Sequence, residues 1–233
     1  MTLVEFIWLL VQLRSFPVFL VYLSLVVFAR PWQKWTAPVD LHNGLLLYNF
    51  TCSCCSAATC AAFLHGLWHS EHIFDKTPQP ALQLAFRLYW LCKLGELLDT
   101  VFMILRHRKH QISILHVYHH ASMLLLSEFA WQHSAWPAIA VLLALNSLVH
   151  VFLYIYYALS TCPQVSVPSR WRQALTEIQI LQFVIAIIYC LVGYFNHGFC
   201  VYSLVYGAVM TFLFSHFYYY AYVNRASTKQ CRQ

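Results

Sequence analysis

Long apolar runs separated by short polar connections dominate this chain. Seven stretches come close to or exceed the roughly 20 apolar residues that carry a helix across a bilayer. They cover about 7–29, 44–67, 84–105, 112–131, 136–158, 174–195 and 199–223. Pro31, Pro38, Pro78, Pro80, Pro137, Pro163 and Pro168 fall at or beside the boundaries, where proline suits helix starts and connections. The first run has Arg14 in front of an apolar stretch but no small-x-small cleavage site, so it reads as a spanning helix ending at Arg30-Pro31 and not as a signal peptide. No repeat, low-complexity tract or linker interrupts the pattern. The expected fold is an all-α polytopic membrane protein of seven transmembrane helices, one domain over residues 1–233.

Charge gives these spans a direction. Connections after odd-numbered runs, with the tail, hold Arg30, Lys34, Arg106, Arg108, Lys109, Arg170, Arg172, Arg225, Lys229 and Arg232. The opposite side holds Arg14, Lys76 and Arg87. Basic residues mark the cytosolic side, so the N-terminus is expected to be lumenal and the C-terminus cytosolic. The sequon Asn49-Phe50-Thr51 then falls at the cytosolic end of the second run and is expected to stay unmodified.

Composition agrees: 61% of residues are hydrophobic and 9% charged, where soluble domains carry about 25% charge. That leaves no room for a large soluble module, and nothing points to nucleic acid as a partner. Cys52, Cys54, Cys55 and Cys60 sit in one apolar run and read as small hydrophobes, not as a disulfide framework. Cys231, beside Arg232, is a weak signal for S-palmitoylation.

Ionisable residues within a membrane helix cost about 2.5–3.5 kcal/mol each, so those present need an explanation. Lys93, Glu96 and Thr100 share a face of the third run, with Asp99 adjacent. A structural ion pair is the bland alternative. His116, His119 and His120 converge at i, i+3, i+4 on the fourth run, just after the basic stretch Arg106–His110. Lipid-facing interfacial histidines are the alternative there. Asn146, His150, Tyr154 and Tyr157 form a stripe on the fifth run, which a packed aromatic face would also explain. Arg172, Thr176, Gln179 and Gln182 open the sixth, where glutamines also bridge helices structurally. By the topology above, all four groups lie between mid-membrane and the cytosolic face. Together they describe a polar chamber beneath a basic surface, suited to an amphiphile with an anionic head and an apolar tail. The arginines and Lys109 would hold the head.

At this point the chain resembles the very-long-chain fatty acid elongase (ELO) family, the membrane 3-ketoacyl-CoA synthases of the endoplasmic reticulum. Lys93-x-x-Glu96-x-x-Asp99-Thr100, His116-Val-Tyr-His119-His120, the Asn146–Tyr157 segment and Leu175-Thr176-x-x-Gln179-x-x-Gln182-Phe183 are similar to the family's four boxes, in family order. Leu153 stands where Met is usual, the Gln132–Pro137 connection lacks the common Gly pair, and the tail lacks a dilysine signal. The resemblance implies condensation of acyl-CoA with malonyl-CoA to 3-ketoacyl-CoA, with loss of CO2, in the endoplasmic reticulum membrane. It implies no metal or other cofactor. Membrane lipid and the ketoacyl-CoA reductase, dehydratase and enoyl reductase of the elongation cycle are the implied partners, and a homo-oligomer is compatible with it.

The boxes contain no cysteine, whereas neutral imidazole attacks thioesters well. The resemblance therefore implies His119 as nucleophile with His150 facing it. His116 and His120 would orient it, shuttle the proton or polarise the carbonyl. Asn146 would donate to an oxyanion. Lys93, Glu96, Asp99, Arg106, Arg108, Gln111, Arg172, Thr176 and Gln179 would serve substrate and CoA binding.

Two other classes compete. A di-iron lipid desaturase or hydroxylase also uses H-x-x-H-H boxes, and His65-x-x-x-His69-x-x-His72 offers more histidines. These are expected on the lumenal side, a hydrocarbon layer of roughly 30 Å away from His116–His120, and a second H-x-x-H-H box is missing. A non-enzymatic seven-helix receptor or carrier fits the helix count but not polar boxes on the cytosolic side.

Overall fold

The computed structural model describes residues 2–199 and 201–224, leaving aside the side chain of Ser169. The basic tail residues Arg225, Lys229 and Arg232, and Cys231 with its lipidation signal, lie outside the described residues. Among the described residues all regular structure is helical. The elements are α1 (Leu3–Gln12), α2 (Ser15–Trp35), α3 (His42–Trp68), α4 (Pro80–Glu96), α5 (Leu98–Leu105), α6 (Ile114–His133), α7 (Pro137–Thr161), α8 (Ser169–His197) and α9 (Val201–Tyr218). A 3-10 turn (Lys109–Gln111) precedes α6, and α9 runs on into a π-turn (Tyr219–Val223).

The first apolar run is not one helix. Thr2 and Glu5 close a capping box at the start of α1, and the chain turns extended at Leu13 before α2 begins. The new start is held from a distance: the buried carboxylate of Glu128 accepts from the backbone N–H of Arg14 (3.2 Å) and of Ser15 (2.7 Å). Nor does α2 stop at Arg30-Pro31. It continues to Trp35 with Pro31 inside, because its last turns are anchored to α5, where Gln33 Nε2 donates to the Ile104 carbonyl at 2.8 Å. The third run is also divided, with Leu97 linking α4 to α5 through three-residue contacts, Leu97 N–H to Leu94 O and Thr100 N–H to Leu97 O.

Among the described residues five helices are long and apolar enough to cross a membrane: α2, α3, α7, α8 from Arg170, and α9 with its π-turn. The α4–α5 pair falls short because it is divided and carries Arg87, Lys93, Glu96 and Asp99. α6 carries three histidines in its first two turns and Glu128 further on. The missing hydropathy is thus concentrated in the helices that carry the first two boxes. Large apolar side chains such as Val27, Leu47, Phe195 and Phe212 face outward, as a multi-pass membrane protein requires.

α3 packs along α7 and α4, α4 on α6, α2 on α6, and α8 on α9 and α7. Gly66 brings α3 close to α4, since a Cβ there would run into Leu82 and the Ala81 carbonyl. One half of the bundle is filled by an apolar core around Phe63, Leu82, Phe86 and Tyr89. At that end Phe74 stacks on His197 (4.4 Å) and Tyr189 (4.8 Å), and Lys76 donates to the Gly198 carbonyl at 2.9 Å. These contacts pin the α8–α9 pair to the connection between α3 and α4. At the other end the helices part around a cavity.

Candidate functional site

The cavity encloses about 790 Å³ and takes its lining from α3, α5, α6, α7, α8, α9 and the turns between them. His116, His119, His120 and His150 line its buried end. Arg106, Arg108, His110, Gln111 and Arg172 line its exposed end. Asp99, Thr176 and Gln179 lie between, with apolar wall supplied by Phe102, Met103, Leu153, Leu175, Phe214 and Phe217. No cysteine lines it among the described residues. Lys109 is exposed and outside the lining.

The histidines stand where they do because α6 starts where it does. Ser113 caps the helix by accepting from the His116 backbone N–H at 3.2 Å. The following i, i+3, i+4 spacing turns all three imidazoles inward, with ring centroids 4.3 Å apart for His116–His120 and 5.5 Å for His119–His120. Each ring meets different partners. His116 Nε2 lies 2.7 Å from Thr100 Oγ1, which lies 3.1 Å from Tyr22 OH. That relay joins α2, α5 and α6. His119 faces His150 across 6.2 Å, and its buried Nδ1 has no hydrogen-bond partner among the described residues.

Lys93 and Glu96 lie behind the cavity wall. Both are buried and neither lines the cavity. Lys93 Nζ donates to both carboxylate oxygens of Glu96, at 2.9 and 3.0 Å. Glu96 Oε1 also lies 3.2 Å from His150 Nδ1. The pair therefore holds His150 from behind and ties α4 to α7. The physical reason is the break at Leu97: Asp99, past it, reaches the cavity wall, while Lys93 and Glu96 end the preceding helix. Asp99 in turn accepts from Tyr154 OH at 2.7 Å.

Asn146 borders a small void of about 10 Å³ shared with His119, His150, Gln179 and Gln182. Its Oδ1 accepts from Tyr89 OH at 2.7 Å. At the exposed end, Arg172 lies over the ring of Tyr222 at 5.8 Å, and Tyr222 OH donates to the Arg172 carbonyl at 3.3 Å. Sequence reasoning missed Tyr22, Tyr89 and Tyr222, since among 15 tyrosines no local spacing distinguishes these three. It also passed over His42 and Asn49, which line the cavity from α3.

The histidines at the end of α3 are far from this cluster. Gly66 meets Leu82 near the start of α4, whereas Thr100, which holds His116, follows the end of α4. The 17 residues of α4 separate the two ends by roughly 25 Å at 1.5 Å per residue. Among the described residues no three His, Cys, Asp or Glu side chains are grouped so as to hold a metal ion.

A model of the ELO family, described as GNS1/SUR4, matches residues 9–230. The chain is 31% identical over 228 residues to very long chain fatty acid elongase 5 of Bos taurus, covering 91% of this chain and 75% of that protein. It is 30% identical to the Homo sapiens protein of the same name, over 90% of this chain and 74% of the relative. It is 29% identical to very long chain fatty acid elongase 2 of Rattus norvegicus, over 96% and 85% respectively.

Proposed function

The chain belongs to the ELO (GNS1/SUR4) family of fatty acid elongation, and on that premise we propose that it catalyses the condensing step, joining an acyl-CoA to malonyl-CoA. His119 attacks the acyl thioester: a C–N bond forms, the C–S bond breaks, and CoA leaves as the thiol with the imidazole proton. Malonyl-CoA then loses CO2. The electron pair left on its methylene carbon forms a C–C bond to the acyl carbonyl carbon, the C–N bond breaks with its pair going to the ring nitrogen, and that nitrogen takes up one proton from water, restoring the neutral imidazole. The products are 3-ketoacyl-CoA, CO2 and CoA.

The observation that carries this proposal is the contrast among the histidines. His116 and His150 have ring nitrogens engaged by Thr100 and Glu96, whereas among the described residues His119 and His120 have no ring hydrogen bond, and of these two it is His119 that faces His150 and keeps a buried nitrogen with no partner. A ring braced on neither nitrogen suits a nucleophile; braced rings suit proton transfer and orientation. Asn146 supplies an amide donor to the oxyanion formed at each carbonyl addition. Arg106, Arg108 and Arg172, with Gln111, Thr176 and Gln179, take the CoA head. The chemistry so written uses the chain's own side chains and draws on no cofactor.

The same proposal includes the topology. The α4–α5 pair and α6 cross the membrane despite their polar load, giving seven crossings with a lumenal N-terminus and a cytosolic C-terminus. The enzyme then works in the endoplasmic reticulum and hands its product to the reductase, dehydratase and enoyl reductase of the elongation cycle. Radiolabelled malonyl-CoA incorporation by membranes carrying the chain tests the reaction. Wild-type protein is expected to elongate acyl-CoA and His119→Ala to be inert while still inserting. Acyl-CoA alone should leave an acylated protein by intact mass. Wild-type turnover by His119→Ala would exclude the relay.

A further inference from the structure

We infer that Tyr89 is a positioning residue that fixes which end of the Asn146 amide faces the reacting carbonyl. The inference rests on the condensation proposal above, in which Asn146 is the oxyanion donor.

An asparagine amide has two ends of nearly equal size and opposite character, a carbonyl that accepts and an NH2 that donates. Only the NH2 end stabilises an oxyanion; the other end would repel it. Asn146 is buried on α7 beside the small void that also touches His119 and His150. Its Oδ1 accepts from Tyr89 OH at 2.7 Å. Its Nδ2 has no acceptor among the described residues. A phenol with a single buried partner satisfies its O–H only by donating, whereas accepting from Nδ2 would leave that O–H unpaired, so it favours Oδ1 and leaves Nδ2 as the unengaged donor.

Tyr89 is well placed to impose that choice. Its ring is 1% exposed and packs against Phe63 at 5.9 Å in the apolar core. The hydroxyl is therefore aimed by packing that no substrate disturbs. The Lys93 ammonium lies 4.9 Å from the ring centroid, and a cation over a phenol ring makes its O–H a stronger donor. The buried Lys93–Glu96 pair thus reaches the reacting centre by a second route, separate from the Glu96–His150 contact. Tyr89→Phe keeps the ring and its packing but leaves the amide free to turn over.

The test uses the full chain in proteoliposomes. Tyr89→Phe is expected to lower kcat about tenfold with KM within about twofold, and Asn146→Ala to lower it about 100-fold, the usual scale for losing an oxyanion donor. The double variant should be no slower than Asn146→Ala alone, because an amide that is absent cannot be misoriented. The second readout is isotope-edited infrared spectroscopy of a bound acyl-CoA analogue with a methylene in place of the thioester sulfur and a 13C carbonyl. In wild type its carbonyl stretch should fall below the value in detergent solution, and the shift should shrink in both single variants. Wild-type kcat in Tyr89→Phe, or losses that multiply in the double variant, would overturn the inference. A wild-type shift retained in full by Tyr89→Phe removes the inference alone. No shift in wild type removes the Asn146 donor and the inference with it.

Discussion

Glu96 Oε1 sits 3.2 Å from His150 Nδ1 while the same carboxylate holds the Lys93 ammonium. The histidine that faces His119 is therefore set by α4 as well as by its own helix. Lys93 and Glu96, both outside the cavity lining, brace a residue that lines it.

Removing one member of this group strands the other. Glu96→Ala leaves Lys93 buried without a counter-charge, an expected loss of about 3–5 kcal/mol in stability. Thermal unfolding in detergent checks it. The double variant Lys93→Met/Glu96→Leu should recover most of that stability but not the turnover, since His150 still lacks its acceptor.

Thr100→Val keeps the shape at that position and deletes the 2.7 Å contact to His116. The expected result is a 10- to 100-fold fall in kcat, about 1.4–2.7 kcal/mol, with KM within about twofold. Tyr22→Phe, one bond further out, should cost less. Steady-state kinetics on both variants gives the ranking, and a larger loss in Tyr22→Phe would contradict the relay.

Glutamine at Arg106, Arg108 or Arg172 removes positive charge at the exposed end of the cavity. Each charge-assisted contact is expected to contribute about 1–2 kcal/mol, so KM for both CoA substrates should rise about 5- to 30-fold with kcat nearly unchanged. The dependence of KM on ionic strength should flatten in the variants, because screening acts on those charges.

Glu128→Ala orphans the Arg14 and Ser15 amides. A buried donor left unpaired costs about 1–3 kcal/mol, so the melting temperature should fall clearly. Glu128→Gln, which retains an acceptor oxygen, should fall less. Turnover per folded molecule should be kept in both.

Much of the site was legible because its spacing is local. His116, His119 and His120 converge on any helix that holds them, and the Asn146–His150–Tyr154 stripe follows from the same 3.6-residue period. What was hidden depends on partners remote in the chain. The break before α2 needs Glu128, and its continuation past Pro31 needs Ile104. Lys93 and Glu96 share a face with Thr100 in an unbroken helix, but the turn at Leu97 places the first two behind the cavity and Asp99 on its wall. The three tyrosines that aim Asn146, Thr100 and Arg172 carry no local pattern. Their roles exist only once distant helices meet.

The cap on α2 also bears on the order in which the protein can be completed during synthesis. The Ser15 amide and the Glu128 carboxylate are 113 residues apart in the chain. Until the ribosome has released residue 128, the opening turn of α2 must rely on water or lipid headgroups for those hydrogen bonds. The first long apolar helix to leave the ribosome is therefore seated in its final form only after α6 has been made, and a truncation before Glu128 would leave its N-terminal end unfinished.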